Sequence, residues 1–134
     1  MNYVLFLDDD RWRHGRFQAR VEALGYARRH RLLYVFTAAD AIDALRAHEG
    51  EIATAFLDHD LCEDDHWVKP GAPSKAPTGM VVVDHIVTMR QPPPAITVHS
   101  FNHHAAVAMC ARLSALRGVS VHYIPFDVLL GQLA

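Results

Sequence analysis

The sequence predicts an α/β three-layer sandwich built on a five-stranded parallel sheet in the order 2-1-3-4-5. Three observations predict it. Apolar runs of strand length alternate with helix-periodic segments along the whole chain, which is the pattern of βαβ units. The first run, Tyr3–Leu7, is apolar at every position, as a strand covered on both faces is. Three polar clusters directly follow apolar runs: Asp8-Asp9-Asp10, Asp58-His59-Asp60 and His99-Ser100-Phe101-Asn102. Ligands of open α/β sheets bind outside the carboxyl ends of the strands, so these clusters predict one converged site.

Each element has its own warrant. After the first strand, residues 11–24 place Phe17, Val21 and Leu24 at helical spacing, and Gly25 suits the helix stop. Residues 31–36 read as the second strand. Thr37 is a good N-cap, with Asp40 in capping-box position, for a helix over 38–48 that buries Ala41, Ile42 and Leu45; Gly50 ends it. Ile52–Leu57 is the third strand. An inserted loop over 62–78 follows, rich in acids, Pro, Gly, Ser and Lys between Cys62 and Pro77. Thr78 opens a third helix to about Met89, and Pro92-Pro93-Pro94 forbids its continuation. Ala95–Val98 is the fourth strand. Asn102 caps a helix to Leu116 whose expected buried stripe is Val107, Cys110, Leu113 and Leu116. Residues 119–124 form the fifth strand, with His122 expected to pack inside, and 125–134 form at most a short closing helix. Right-handed crossovers favour the stated order.

At 134 residues the chain is expected to form one domain over 1–134, and it shows no internal repeat. A net charge of -2 argues against general nucleic-acid or anionic-membrane binding. No apolar run approaches the roughly 20 residues of a membrane span. The beginning, MNYVLFLDDD, lacks a signal-peptide pattern. Cys62 and Cys110 have no metal-ligand spacing; Cys110 is expected in the core and Cys62 as a free thiol. A cytoplasmic location is the expectation.

If strands one, three and four are neighbours, their clusters share one rim. Asp8, Asp9 and Asp58 are then oxygen ligands of the kind a hard divalent cation such as Mg²⁺ or Mn²⁺ takes. Packed carboxylates repel one another and repel phosphate, so a phosphate substrate requires a cation, an imidazolium or an arginine in the site. His59 and His99 are the candidates for acid and base across a narrow crevice, with either one in either role. Asp60 would orient an imidazole. Ser100 and Asn102 can hydrogen-bond substrate oxygens, and Arg11 can clamp a phosphate. Asp10 and Asn102 also suit plain helix caps. His66, in the loop, is a candidate to close over a ligand, and His103 and His104 are expected on a helix surface.

LFLDDD, AFLDHDL and IPF resemble the motifs of response-regulator receiver domains. The resemblance implies a receiver/flavodoxin-like fold, with Asp8 and Asp9 at the acidic pair and Asp58 at the phosphoacceptor. Two departures argue against phosphorelay switching. His99 stands where receivers carry Thr or Ser, and Ile124 stands where they carry the lysine before proline. Receivers commonly have a cis bond at that proline, which makes Ile124–Pro125 a bond to inspect.

FLDDDR, FLDHDL, Thr78-Gly79 and HSFN, in that order, are more closely similar to the divergent group described as cyclic-phosphate processing receiver-like domains. That resemblance implies action on a nucleotide-like cyclic phosphate. The leading expectation is a phosphoesterase that opens or hydrolyses a cyclic phosphate in a small nucleotide-derived molecule. In it, Asp58, His59, Asp60 and His99 would be the working residues. Two alternatives stand beside it: a module that sequesters a cyclic nucleotide intact, and a degenerate receiver that binds proteins.

Overall fold

The computed structural model describes residues 2–61 and 78–133; the expected loop, with Cys62 and His66, lies outside them apart from Thr78. Five parallel strands, β1 (Tyr3–Leu7), β2 (Arg31–Val35), β3 (Ile52–Leu57), β4 (Ala95–Val98) and β5 (Ser120–Tyr123), form one sheet in the order β2-β1-β3-β4-β5. The helices are α1 (Arg11–Ala23), α2 (Ala38–Ala47), α3 (Gly79–Ile86), α4 (His103–Leu113) and α5 (Phe126–Gln132), with a 3-10 turn at Tyr26–Arg28.

Strand side chains alternate between faces, and each face has its own core. Leu5, Leu7, Ala55, Leu57, Ile96 and Val98 pack with α2, α3 and α4. Val4, Phe6 and Phe56 point the other way and pack with Phe17 and Val21 of α1 and Phe126 and Leu129 of α5. A residue of β1 or β3 is therefore covered whichever way it faces, which is why these runs lack polar alternation.

Local signals set the boundaries. The Thr37 side chain accepts from the Asp40 amide and Thr78 from the Met80 amide, so both cap their helices. Gly25 and Gly50 turn the chain at φ 75° and 78°. Among the described residues there is no cis peptide bond, so Ile124–Pro125 is trans. None of the described helices is long and apolar enough to cross a membrane.

Two expectations about packing are corrected. The buried stripe of α4 is Ala106, Met109 and Leu113, while Val107 is 50% exposed and Cys110 only half-buried. The helix is rotated by about one residue from the expected face because Met109 fills the sheet-side position. His122 is exposed, because β5 lies at the edge of the sheet.

Candidate functional site: an acid cluster at the carboxyl edge

The ladder of backbone hydrogen bonds runs one residue past the strand ends. The Asp8 amide donates to Val35 O, Asp58 to Leu7 O, His99 to Leu57 O and Ile124 to Val98 O. This continuation sets Asp8, Asp58 and His99 side by side, since Leu7 pairs with Leu57 and Leu57 with Val98. The sheet thus joins the three sequence clusters at one rim. Asp8, Asp9 and Asp58 each offer a carboxylate oxygen, and these oxygens lie within 4.8 Å of one another.

Among the described residues, the arginine that reaches these acids is Arg13. Its Nε donates to Asp8 Oδ2 at 2.8 Å and its Nη2 to Asp9 Oδ1 at 3.2 Å, with Asp10 Oδ2 and Asp58 Oδ2 at 3.5 and 3.6 Å. Asp10 caps α1, accepting from the Trp12 and Arg13 amides, and so places the first helical turn over the cluster. Arg11, the expected phosphate clamp, is exposed and has no ion pair among the described residues. Asp9 and Asp10 precede Arg13 by four and three positions at the start of α1, and that spacing of opposite charges is the signal that points to Arg13.

Electrostatics divides the two buried acids. Burial pushes Asp8 up, but hydrogen bonds from His99 and Arg13 outweigh it and hold its carboxyl at about 2. Asp58 is pushed up to about 7 by burial and by the neighbouring charge of Asp8, which Arg13 only partly offsets. Without a bound cation, Asp58 shares its proton readily near neutral pH.

The histidines differ from the expected facing pair. His99 is only 1% exposed, stacks on Phe6 at 5.0 Å and donates from Nε2 to Asp8 Oδ2 at 3.1 Å. Burial pushes its pKa down despite the Asp8 charge. Its Nε2 is therefore taken up by Asp8, and its ring lies beneath the surface of the rim. Sequence also did not single out His14, which is buried, donates from Nε2 to the Asp8 carbonyl at 2.7 Å and stacks on Phe36 at 3.9 Å. His59 is partly exposed and hydrogen-bonds from Nδ1 to Asp60 Oδ1 at 2.6 Å. This leaves Nε2 as its basic nitrogen.

Ser100 and Asn102 shape the β4–α4 turn. Buried Ser100 Oγ accepts from the Asn102 amide at 3.0 Å, and Asn102 Oδ1 accepts from the Ala105 amide at 3.1 Å as the α4 N-cap. Asn102 Nδ2 also lies 3.4 Å from Asp60 Oδ1, tying this turn to the one after β3. Asn102→Ala is accordingly expected to lower stability by about 1 kcal/mol in thermal or urea unfolding. An unchanged melt would show that the cap carries no weight. His103 and His104 are exposed on α4.

The acid cluster fits a hard divalent cation. Its donors are carboxylate oxygens from three residues, and burial beside the charge of Asp8 leaves Asp58 short of compensation. Asp8, Asp9 and Asp58 would hold it.

Residues 3–115 match the family described as "Cyclic-phosphate processing Receiver domain". No curated protein matches the sequence. Solved structures similar to this chain include the bacteriophytochrome response regulator RtBRR, 17% identical, over 98% of this chain and 75% of that one, with a TM-score of 0.64. The phosphorylated cyanobacterial phytochrome response regulator RcpA is 18% identical over 98% and 85%, with a TM-score of 0.62. The Mn(2+)-bound form of response regulator Rcp1 is 14% identical over 98% and 91%, with a TM-score of 0.60. At these identities the likeness shows the fold, a receiver fold.

Proposed function

Since the chain belongs to the cyclic-phosphate processing receiver domain family, we propose that its carboxyl-edge site opens a cyclic phosphate on a small nucleotide-derived molecule by hydrolysis. One observation carries the reading: three carboxylates able to hold a divalent cation adjoin a histidine that a carboxylate holds in one tautomer. A bound Mg²⁺ or Mn²⁺ would neutralise the phosphate and lower the pKa of an attacking water.

This chain's residues supply the rest. His59 takes the proton of the attacking water at Nε2 as the water oxygen bonds to phosphorus, and returns it to the ring oxygen as that P–O bond breaks. Asp60 steadies the imidazolium formed in between. His99 and Arg13 keep Asp8 ionised. Ile124 in place of a lysine leaves no ammonium at that position to grip a phosphoryl group on Asp58, which favours small-molecule chemistry over a phosphorelay switch.

The test is mass spectrometry of 2′,3′- and 3′,5′-cyclic nucleotides after incubation with the protein, with Mg²⁺, Mn²⁺ or EDTA. The expected product is the substrate plus one water, with EDTA abolishing turnover and His59→Ala reducing it at least about a hundredfold. Failure to convert any of the panel with either metal overturns the reading. Stoichiometric recovery of intact ligand from denatured protein would replace it by sequestration.

A further inference from the structure

We propose that Arg13 is an exchangeable counter-ion, which bridges the acid cluster and passes to the substrate's phosphate when a divalent cation takes its place. The proposal rests on reading Asp8, Asp9 and Asp58 as the cation site.

The guanidinium hydrogen-bonds Asp8 Oδ2 at 2.8 Å and Asp9 Oδ1 at 3.2 Å and lies 3.6 Å from Asp58 Oδ2. It sits at the point where those acids converge. A carboxylate has about four lone-pair positions. On Asp8, Oδ1 already accepts from the Asp10 amide at 2.9 Å, and Oδ2 accepts from both Arg13 and His99. On Asp58, Oδ1 accepts from the His59 amide at 2.8 Å. The backbone donors and buried His99 are fixed by the fold, so among the described donors to Asp8 it is Arg13 whose departure frees an oxygen for a cation.

A departing Arg13 keeps a partner at the rim. Its Cζ lies 5.7 Å from the ring centroid of Phe101, a side chain 61% exposed. This cation–π contact owes nothing to the acids. A cation brought in with a phosphate supplies positive charge to the cluster and negative charge to the released guanidinium, whose fork matches phosphate oxygens. Cation and phosphate should therefore bind cooperatively, with Arg13 as the coupling group.

The experiment is titration of the full chain with Mn²⁺, followed by calorimetry and by the electron paramagnetic resonance signal of free Mn²⁺. Wild type, Arg13→Met and Arg13→Lys are compared, each with and without inorganic phosphate. Arg13→Met is expected to bind Mn²⁺ about tenfold more tightly than wild type. Phosphate should tighten Mn²⁺ binding several-fold in wild type and little in Arg13→Met.

Equal or weaker Mn²⁺ binding by Arg13→Met, an undiminished phosphate effect, or no Mn²⁺ binding by any of the proteins overturns the proposal. If Arg13→Met does not fold, Arg13→Lys decides. A lysine cannot bridge three carboxylates at once and should still tighten Mn²⁺ binding; no tightening refutes the exchange. These readouts are independent of turnover. Exchange without cleavage would sink the hydrolase reading alone.

Discussion

Gly79→Ala is expected to cost about 3 kcal/mol or more of folding stability and to abolish divalent-cation binding. The residue opens α3, where its amide donates to His59 O at 2.9 Å. A Cβ there would overlap the carbonyl oxygen of Asp58 and lie 2.9 Å from the carbonyl carbon of Asp58 and 3.0 Å from His59 Cα. All three are backbone atoms, so no side chain can swing aside. The helix start and the loop after β3 must separate, and that loop carries both the candidate ligand Asp58 and the candidate base His59.

Gly15→Ala is the control. Gly15 lies within α1 and a Cβ there meets nothing within 4 Å. The change should stabilise by about 0.5–1 kcal/mol, the ordinary gain of alanine over glycine in a helix. Urea unfolding of both variants measures the contrast. A Gly79→Ala protein as stable as wild type would mean that the close approach is not required.

The two buried acids should respond to neutralisation in opposite directions. Asp58 titrates at about 7 in the folded protein against 3.8 for an ordinary aspartate, so the folded state holds its proton more tightly than the unfolded one. Stability is thus lost as pH rises from about 4 to 7. Asparagine has no proton to lose, so Asp58→Asn should be more stable than wild type at pH 8. The gain should be a few kcal/mol, since each tenfold difference in proton affinity is worth about 1.4 kcal/mol, and it should close toward pH 4.

Asp8 titrates at about 2 against 3.8. It contributes stability at pH above 3.8 that is lost as pH falls through 2. Asp8→Asn should therefore be less stable at pH 7 by about 2 kcal/mol, with the difference vanishing at the acid end. Urea midpoints between pH 2 and 8 in EDTA check both. Adding Mg²⁺ should stabilise wild type at pH 8 more than Asp58→Asn. Two variants that both destabilise at pH 8 would contradict the electrostatic account of the site.

The strands were legible in sequence because β1 and β3 lie inside the sheet and are covered on both sides, so their runs are apolar but for the half-buried Thr54. Helix starts were legible because Thr37, Thr78 and Asn102 act on amides two or three residues away. The clustering of Asp8, Asp58 and His99 followed from strand order, which the alternation of elements implies.

What each clustered residue faces did not follow. Arg11 and Arg13 are two positions apart in sequence, yet on a helix beginning at Arg11 only the second turns back over the acids. His99 and His59 each follow an apolar strand closely in sequence. The first is shut in against Phe6 and Phe126, while the second stays partly exposed.

The sequence by itself determined the architecture and the rim where the acids meet, because hydrophobic periodicity, caps and strand-end placement are local properties written every few residues. Only the tertiary structure decided that Arg13 fills the cluster, that His99 serves Asp8 from the core, and that Gly79 must lack a side chain. Each of these depends on distances between β1, β3, β4 and the first turns of α1 and α3, and such distances exist only after the elements have packed.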